Sequence, residues 1–290
     1  MIPSFFPLSS SFPLPSRGLG TWRSEKLEQT LKTAIELGYR HIDTASMYKN
    51  EEMVGEVLES FFNSGQLKRE EMFITTKIWN DEKDDVEGSL RRSLKKLKLD
   101  YVDLYLIHWP MGYYDKEKKL ILKPLYKTWR EMEECVRKKL CRSIGVCNFN
   151  VQLLLDLLSY AEIKPAVNQI EVNPYHSRAN LVKFCQEFNI QVVGFQPFCR
   201  LKIDVLNDPV IVDLAQKYQK KASQIILNWC LLRGVAVIPK SENEGRLKDN
   251  LDCIDFVLEK EDMERINQIN RNQSSNDRVV KEDFKIPIFD

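Results

Sequence analysis

Apolar residues in this chain alternate between two spacings. Short β-rich runs, apolar at nearly every position, are followed by stretches with an apolar residue every third or fourth place. Leu27, Leu31, Ala34 and Ile35 fall at helical spacing and stop at Gly38, a suitable helix terminator. Val54, Val57, Leu58, Phe61 and Phe62 form one apolar helix face, and Val86, Leu90, Leu94 and Leu97 form the next. Further helices are expected near 127–137, 153–160 and 181–188, then from Asp208 as cap with Pro209 at the first position, and over 222–232 with Gly234 beyond the end. Between them lie eight strand-like runs, at 18–22, 41–45, 72–78, 102–107, 143–149, 166–172, 192–198 and 235–239. Their lack of in–out alternation suits parallel strands covered on both faces. Eight such units predict an α/β fold, a (β/α)8 TIM barrel with eight parallel strands, ahead of an open doubly wound sheet.

The 290 residues could hold two average domains, but no Gly/Ser linker interrupts the alternation, so one domain over 1–290 is expected. The first 17 residues carry four prolines without a sustained apolar core, which predicts a short hairpin or plug and no leader. Forty-three basic against 42 acidic residues leave a net charge of +1, so neither nucleic acid nor an anionic membrane is an expected partner and any anion site must be local. No window is apolar for long enough to cross a bilayer. Seven scattered cysteines without a CxxC pair, and only three histidines, point to reduced thiols, a cytoplasmic location and no metal. A monomer is expected.

Candidate chemistry gathers where the strands end. The stretch GYRHIDTASMYKNE presents Asp43 and Tyr48 at the exit of the second strand. A phenol, with a reference pKa of about 10, donates a proton usefully near neutrality only if a cation stabilises the phenolate. Lys77, interrupting MFITTKIW, supplies the cation, and His108 closes DLYLIHWP. Taken singly, Lys77 could snorkel, Asp43 could cap a helix and His108 could be a core histidine. Their shared position at consecutive strand ends, where barrels of this kind carry their active sites, favours chemistry.

The motifs GLGTW, GYRHIDTASMYKNEEMVGEVL, TTKIWN, LDYVDLYLIHWP, RSIGVCNF, NQIEVNP and IPKSENEGRLKDN, in this order, resemble the aldo-keto reductase family over nearly the whole chain. The resemblance implies NADPH-dependent reduction of aldehydes or ketones, with Asp43, Tyr48, Lys77 and His108 as the catalytic tetrad. It places Gly20, Thr21 and Trp22 beside the cofactor, Asn148 and Gln169 on the nicotinamide carboxamide, Phe195 against the ring and Gln196 near the pyrophosphate. It puts Lys240, Ser241 and Arg246 on the 2′-phosphate of NADPH/NADP+ and Asn250 near the adenine. Trp22, Trp79 and Trp109 would wall a pocket for a small-molecule carbonyl substrate, in contact with Tyr48 and His108. Only Gly18-Leu19-Gly20 follows the chain start, without GxGxxG, so a Rossmann mode is disfavoured. Cys147 stands where the family usually has serine, Phe195 where tyrosine is common, and Glu242 sits beside the phosphate site. A barrel kept as a structural or regulatory subunit and an NADH-preferring polyol dehydrogenase are the alternative readings.

Overall fold

The computed structural model describes residues 2–114, 117, 119–201 and 203–275. An N-terminal hairpin, β1 (Phe5–Pro7) with β2 (Pro13–Pro15), precedes the barrel. Then follow β3 (Leu19–Gly20), α1 (Leu27–Leu37), β4 (His41–Asp43), α2 (Glu51–Asn63), β5 (Phe73–Ile78), α3 (Val86–Leu97) and β6 (Val102–Ile107). A second hairpin, β7 (Tyr113–Tyr114) with β8 (Leu120–Ile121), comes before α4 (Leu125–Arg137) and β9 (Cys141–Cys147). The rest is α5 (Val151–Tyr160), β10 (Val167–Glu171), α6 (Ala179–Glu187), β11 (Gln191–Phe195), α7 (Pro209–Tyr218), α8 (Ala222–Leu232), β12 (Val235–Val237), α9 (Glu244–Leu251) and α10 (Lys260–Gln268).

Eight strands form one parallel sheet in the order β12-β11-β10-β9-β6-β5-β4-β3. Its two ends meet: Gly18 N–H donates to Val237 O at 2.8 Å, Val237 N–H to Ser16 O at 2.9 Å and Gly20 N–H to Pro239 O at 3.2 Å. The sheet therefore closes into the expected (β/α)8 barrel. A Cβ at Gly20 would come within 2.9 Å of Ile238 O, so the closing strands approach at a distance that needs glycine there. Every residue of β4, β5 and β6 is buried, as the continuous apolar runs implied.

Local signals set the helix ends. Gly38 adopts φ 105° and returns its N–H to the last turn of α1. The Asp208 carboxylate accepts from Val210 N–H at 2.9 Å, with Pro209 in the first turn of α7. Asn150 caps α5 in the same way, through Leu153 N–H at 2.9 Å. The β7–β8 hairpin and helices α9 and α10 were not anticipated. The hairpin strands are too short to show a period, and α9 and α10 are polar enough that only a thin apolar stripe, such as Leu247 and Ile266, reaches the core.

Candidate active site

The strand register decides which side chains share a face. Asp43 on β4 lies beside Thr75 on β5, and Lys77 follows two residues later, on the same face. Lys77 is 0 % exposed, and its Nζ donates to Asp43 Oδ1 at 2.5 Å, to Thr44 O at 2.9 Å and to Tyr48 Oη at 3.5 Å. Burial alone would lower the lysine's pKa, but Asp43, followed by Tyr48, outweighs it and the net shift is upward, so the ammonium persists. Tyr48 sits on the helical turn Ser46–Tyr48, whose Ser46 hydroxyl is anchored to Lys77 O at 3.1 Å and to the Glu82 carboxylate. Glu82 also accepts from Trp79 N–H at 3.1 Å.

Burial pushes the Tyr48 phenol up to about 12, and Lys77 is the largest influence in the opposite direction. The sequence reading, in which Lys77 lowers the phenol, is thus half of the balance: in this site the cation offsets a larger desolvation. His108 packs edge-on to Tyr48, with centroids 5.6 Å apart, and to Trp79 at 4.9 Å. Its pKa lies well below the ordinary histidine value, through burial first and then the Lys77 and Lys83 ammoniums, so the ring is neutral.

A cavity of about 730 Å³ opens at this end of the barrel. Of the predicted catalytic, cofactor and substrate residues, all line it except Lys77, which reaches it through Asp43 and Tyr48, and Trp79, which packs edge-on to His108; Glu242 is not part of the lining either. The amides do more than line it. Gln169 donates from Nε2 to Asp43 Oδ2 at 2.7 Å, so both carboxylate oxygens of Asp43 are held. Asn148, at φ 66°, donates to His108 O at 3.0 Å and to Cys147 Sγ at 3.1 Å. These links depend on register across several strands, which no single motif displays.

At the other end of the cavity Lys240 pairs with Glu242 at 2.7 Å, and Glu242 also accepts from Glu25 N–H at 2.7 Å. The Lys240 hydrogen bond, above all, holds the Glu242 carboxyl down at about 2. Ser241 is buried, while Arg246 projects from the first turn of α9 with its backbone N–H capped by Asn243 Oδ1 at 3.0 Å. Two arginines that sequence reasoning missed also line the cavity. Arg23 and Arg200 each lie 4.5 Å from the Trp22 ring centroid, and Trp22 stands 6.4 Å from Tyr48. Neighbouring Trp22 flags Arg23 in the sequence, but Arg200 arrives by the turn after β11 and carries no local signal. Among the described residues no cluster of histidine, cysteine and carboxylate could hold a metal.

The family model for the aldo/keto reductase family matches residues 16–200 and 202–271. The chain belongs to that family. An NADP-dependent D-sorbitol-6-phosphate dehydrogenase of Malus domestica is 42% identical over 288 residues, 91% of this chain and 93% of the relative. Aldose reductase B of Dictyostelium discoideum is 39% identical over 298 residues, covering 96% and 95%. Among solved structures, the Bombyx mori aldo-keto reductase AKR2E4 in complex with NADP superposes with a TM-score of 0.91 at 38% identity, covering 98% of both chains. Membership in the aldo/keto reductases accounts for a barrel whose polar strand ends converge on one cavity.

Proposed function

We propose that this protein is an NADPH-dependent oxidoreductase that reduces the carbonyl group of small aldehydes or ketones to an alcohol. The observation that carries the reading is the buried Asp43–Lys77–Tyr48 chain beside neutral His108, at one end of a cavity whose other end presents Lys240, Ser241 and Arg246. The residues present fit a dinucleotide phosphate. Lys240 shares its charge with Glu242, but Arg246 and the Ser241 hydroxyl stand at the N-terminal end of α9, where an anion is favoured. Phe195 lines the cavity near Asn148 and Gln169 and offers a flat face to a nicotinamide.

NADPH, when bound, supplies the hydride that goes to the carbonyl carbon. The chain supplies the rest. As negative charge develops on the carbonyl oxygen, Tyr48 donates its phenolic proton, and Lys77 at 3.5 Å stabilises the phenolate left behind. Asp43 keeps the ammonium charged and in place, and Gln169 keeps Asp43 in place. A neutral His108 has one N–H with which to orient the carbonyl oxygen. Trp22 and Trp109 line the cavity with Phe198 and Leu206, which suits substrates with an apolar body. Trp79 acts on the substrate through His108, against which it packs.

A monomer remains our reading, and all seven cysteines are free and buried, which supports a reducing compartment such as the cytoplasm. The test is the loss of NADPH absorbance with an aromatic aldehyde, wild type against Tyr48→Phe. Turnover by the wild type and none by a variant that still binds NADPH supports the reading. Equal turnover by both overturns it.

A further inference from the structure

A second buried lysine is bonded to none of the reacting groups above, although its charge contributes to keeping His108 neutral. Lys83 stands in the helical turn Asn80–Asp85 after β5 and is 5 % exposed. Its Nζ lies 2.9 Å from Asn80 Oδ1, 2.6 Å from Trp109 O and 2.6 Å from Met111 O. An ammonium has three N–H donors and no acceptor, whereas a neutral amine has two donors and a lone pair. Three acceptors therefore match only the charged form. Among the described residues no ion pair joins Lys83 to a carboxylate, so a cation is buried here on oxygen dipoles alone. An apolar side chain would avoid that desolvation, and what the cation holds in return is the Trp109–Met111 segment, whose Trp109 lines the catalytic cavity next to His108.

We propose that Lys83 is a positioning residue for the substrate side of the site: its ammonium pins the 109–111 backbone and so sets the Trp109 indole against the bound carbonyl compound. Its surroundings make the pin titratable. From its own turn, Glu82 is engaged by Ser46 and Trp79 N–H, Asp84 by Tyr113 Oη at 2.7 Å, and Asp85 by Arg92 at 3.0 Å, while Asp81 is exposed. From the end of β6 comes His108, neutral. From the approach to α4, Lys123 donates to the Lys83 carbonyl and pairs with Glu131 at 2.6 Å. Burial first, and the Lys123 charge second, bring the Lys83 amine down to about 7. Below that pH all three acceptors are satisfied. Above it one donor is lost, a lone pair faces a carbonyl, and the segment loosens.

The kinetic arm of the test rests on the carbonyl-reductase reading; the exchange arm does not. Amide hydrogen exchange of the full chain, followed by mass spectrometry, compares the protection of peptides covering 109–114 with that of β6 at about pH 6 and about pH 8.5. In the wild type the 109–114 protection factor falls about tenfold between the two, relative to β6. In Lys83→Met it is low at both. With an aromatic aldehyde, Lys83→Met raises KM about tenfold, a 1.4 kcal/mol loss, with the NADPH Kd within about twofold. Wild-type protection that does not change with pH overturns the proposal, as does a variant whose NADPH affinity falls as far as its aldehyde affinity. Lys83→Gln replaces Lys83→Met if the latter does not fold, and the wild-type exchange needs neither. If no aldehyde is reduced at all, the functional reading fails and the exchange arm still decides the role of Lys83.

Discussion

Removing Lys77 tests stability and chemistry together. Its ammonium and the Asp43 carboxylate are 2.5 Å apart, with side chains 0% and 3% exposed, so neither charge has water to fall back on. Lys77→Met leaves Asp43 buried with Gln169 as its remaining side-chain donor. Breaking a buried pair from one side costs about 3–5 kcal/mol. At roughly 2–4 °C per kcal/mol the melting temperature should fall by about 6–20 °C. Asp43→Asn strands the cation on Thr44 O and Tyr48 Oη and should cost a similar amount. The two variants part in turnover. Even with the cation the phenol stands near 12, and without it nothing offsets the desolvation, so Lys77→Met should lose about 10²–10⁴-fold in NADPH-dependent aldehyde reduction, and Asp43→Asn distinctly less. The double variant buries no unpaired charge. Its destabilisation should fall short of the sum of the singles by at least about 2 kcal/mol. Thermal and urea unfolding of all four proteins, with NADPH titration to show that the site persists, decides the matter. Simple additivity would show that the pair is not coupled, and a more damaging Asp43→Asn in turnover would reverse the roles.

Tyr48→Phe should abolish aldehyde reduction while leaving NADPH binding, read by quenching of protein fluorescence, nearly unchanged. Arg246→Ala should weaken NADPH by about one to two powers of ten, one charge-assisted bond being worth roughly 1.5–3 kcal/mol, and leave NADH alone; an equal loss for both cofactors would mean that Arg246 only supports its helix. Glu242→Gln should tighten NADPH modestly, because it frees Lys240 while keeping an acceptor for Glu25 N–H, and looser binding in the same titration would refute this. Acid should destabilise the fold through His41, whose pKa burial, then Lys77, lowers to about 3. The unfolded chain then binds the extra proton between about pH 6.5 and 3, so stability falls as pH drops through that window, by at most about 1.4 kcal/mol per unit. Urea midpoints at pH 7 and 5 for wild type and His41→Gln would show a smaller decline in the variant.

What could be read from the chain was whatever one segment carries by itself. The period changes gave the eight strands and most helices, and Asp43, Lys77 and His108 stood out as polar residues ending apolar runs. Gln169 was assigned to the cofactor alone, because its bond to Asp43 spans residues 126 apart and exists only once the barrel closes. Nothing in the charged run NDEKDD marks Glu82 or Lys83, yet one anchors the turn that carries Tyr48 and the other is buried. Trp79 was expected in the pocket wall, and its edge-on contact with His108 is a tertiary one that the motif TTKIWN does not display. Charge runs and side-chain direction are settled by packing, which motif spacing does not encode.

The seam that closes the barrel also sets a timetable for the molecule's birth. Glu25 and Glu242, which meet across it, are separated by 217 positions in the chain. At about 5–20 residues per second, a ribosome takes roughly ten to forty seconds to make the second after the first. Until β12 emerges, β3 is an edge with unpaired backbone groups, the kind of template on which nascent chains associate wrongly. Lys240, Ser241 and Arg246 line the cavity from one side of that seam and Gly20 and Trp22 from the other, so on the proposed reading a dinucleotide would bind the closed form. By mass action such a ligand would also stabilise newly made chains in the closed state, apart from any reaction they catalyse.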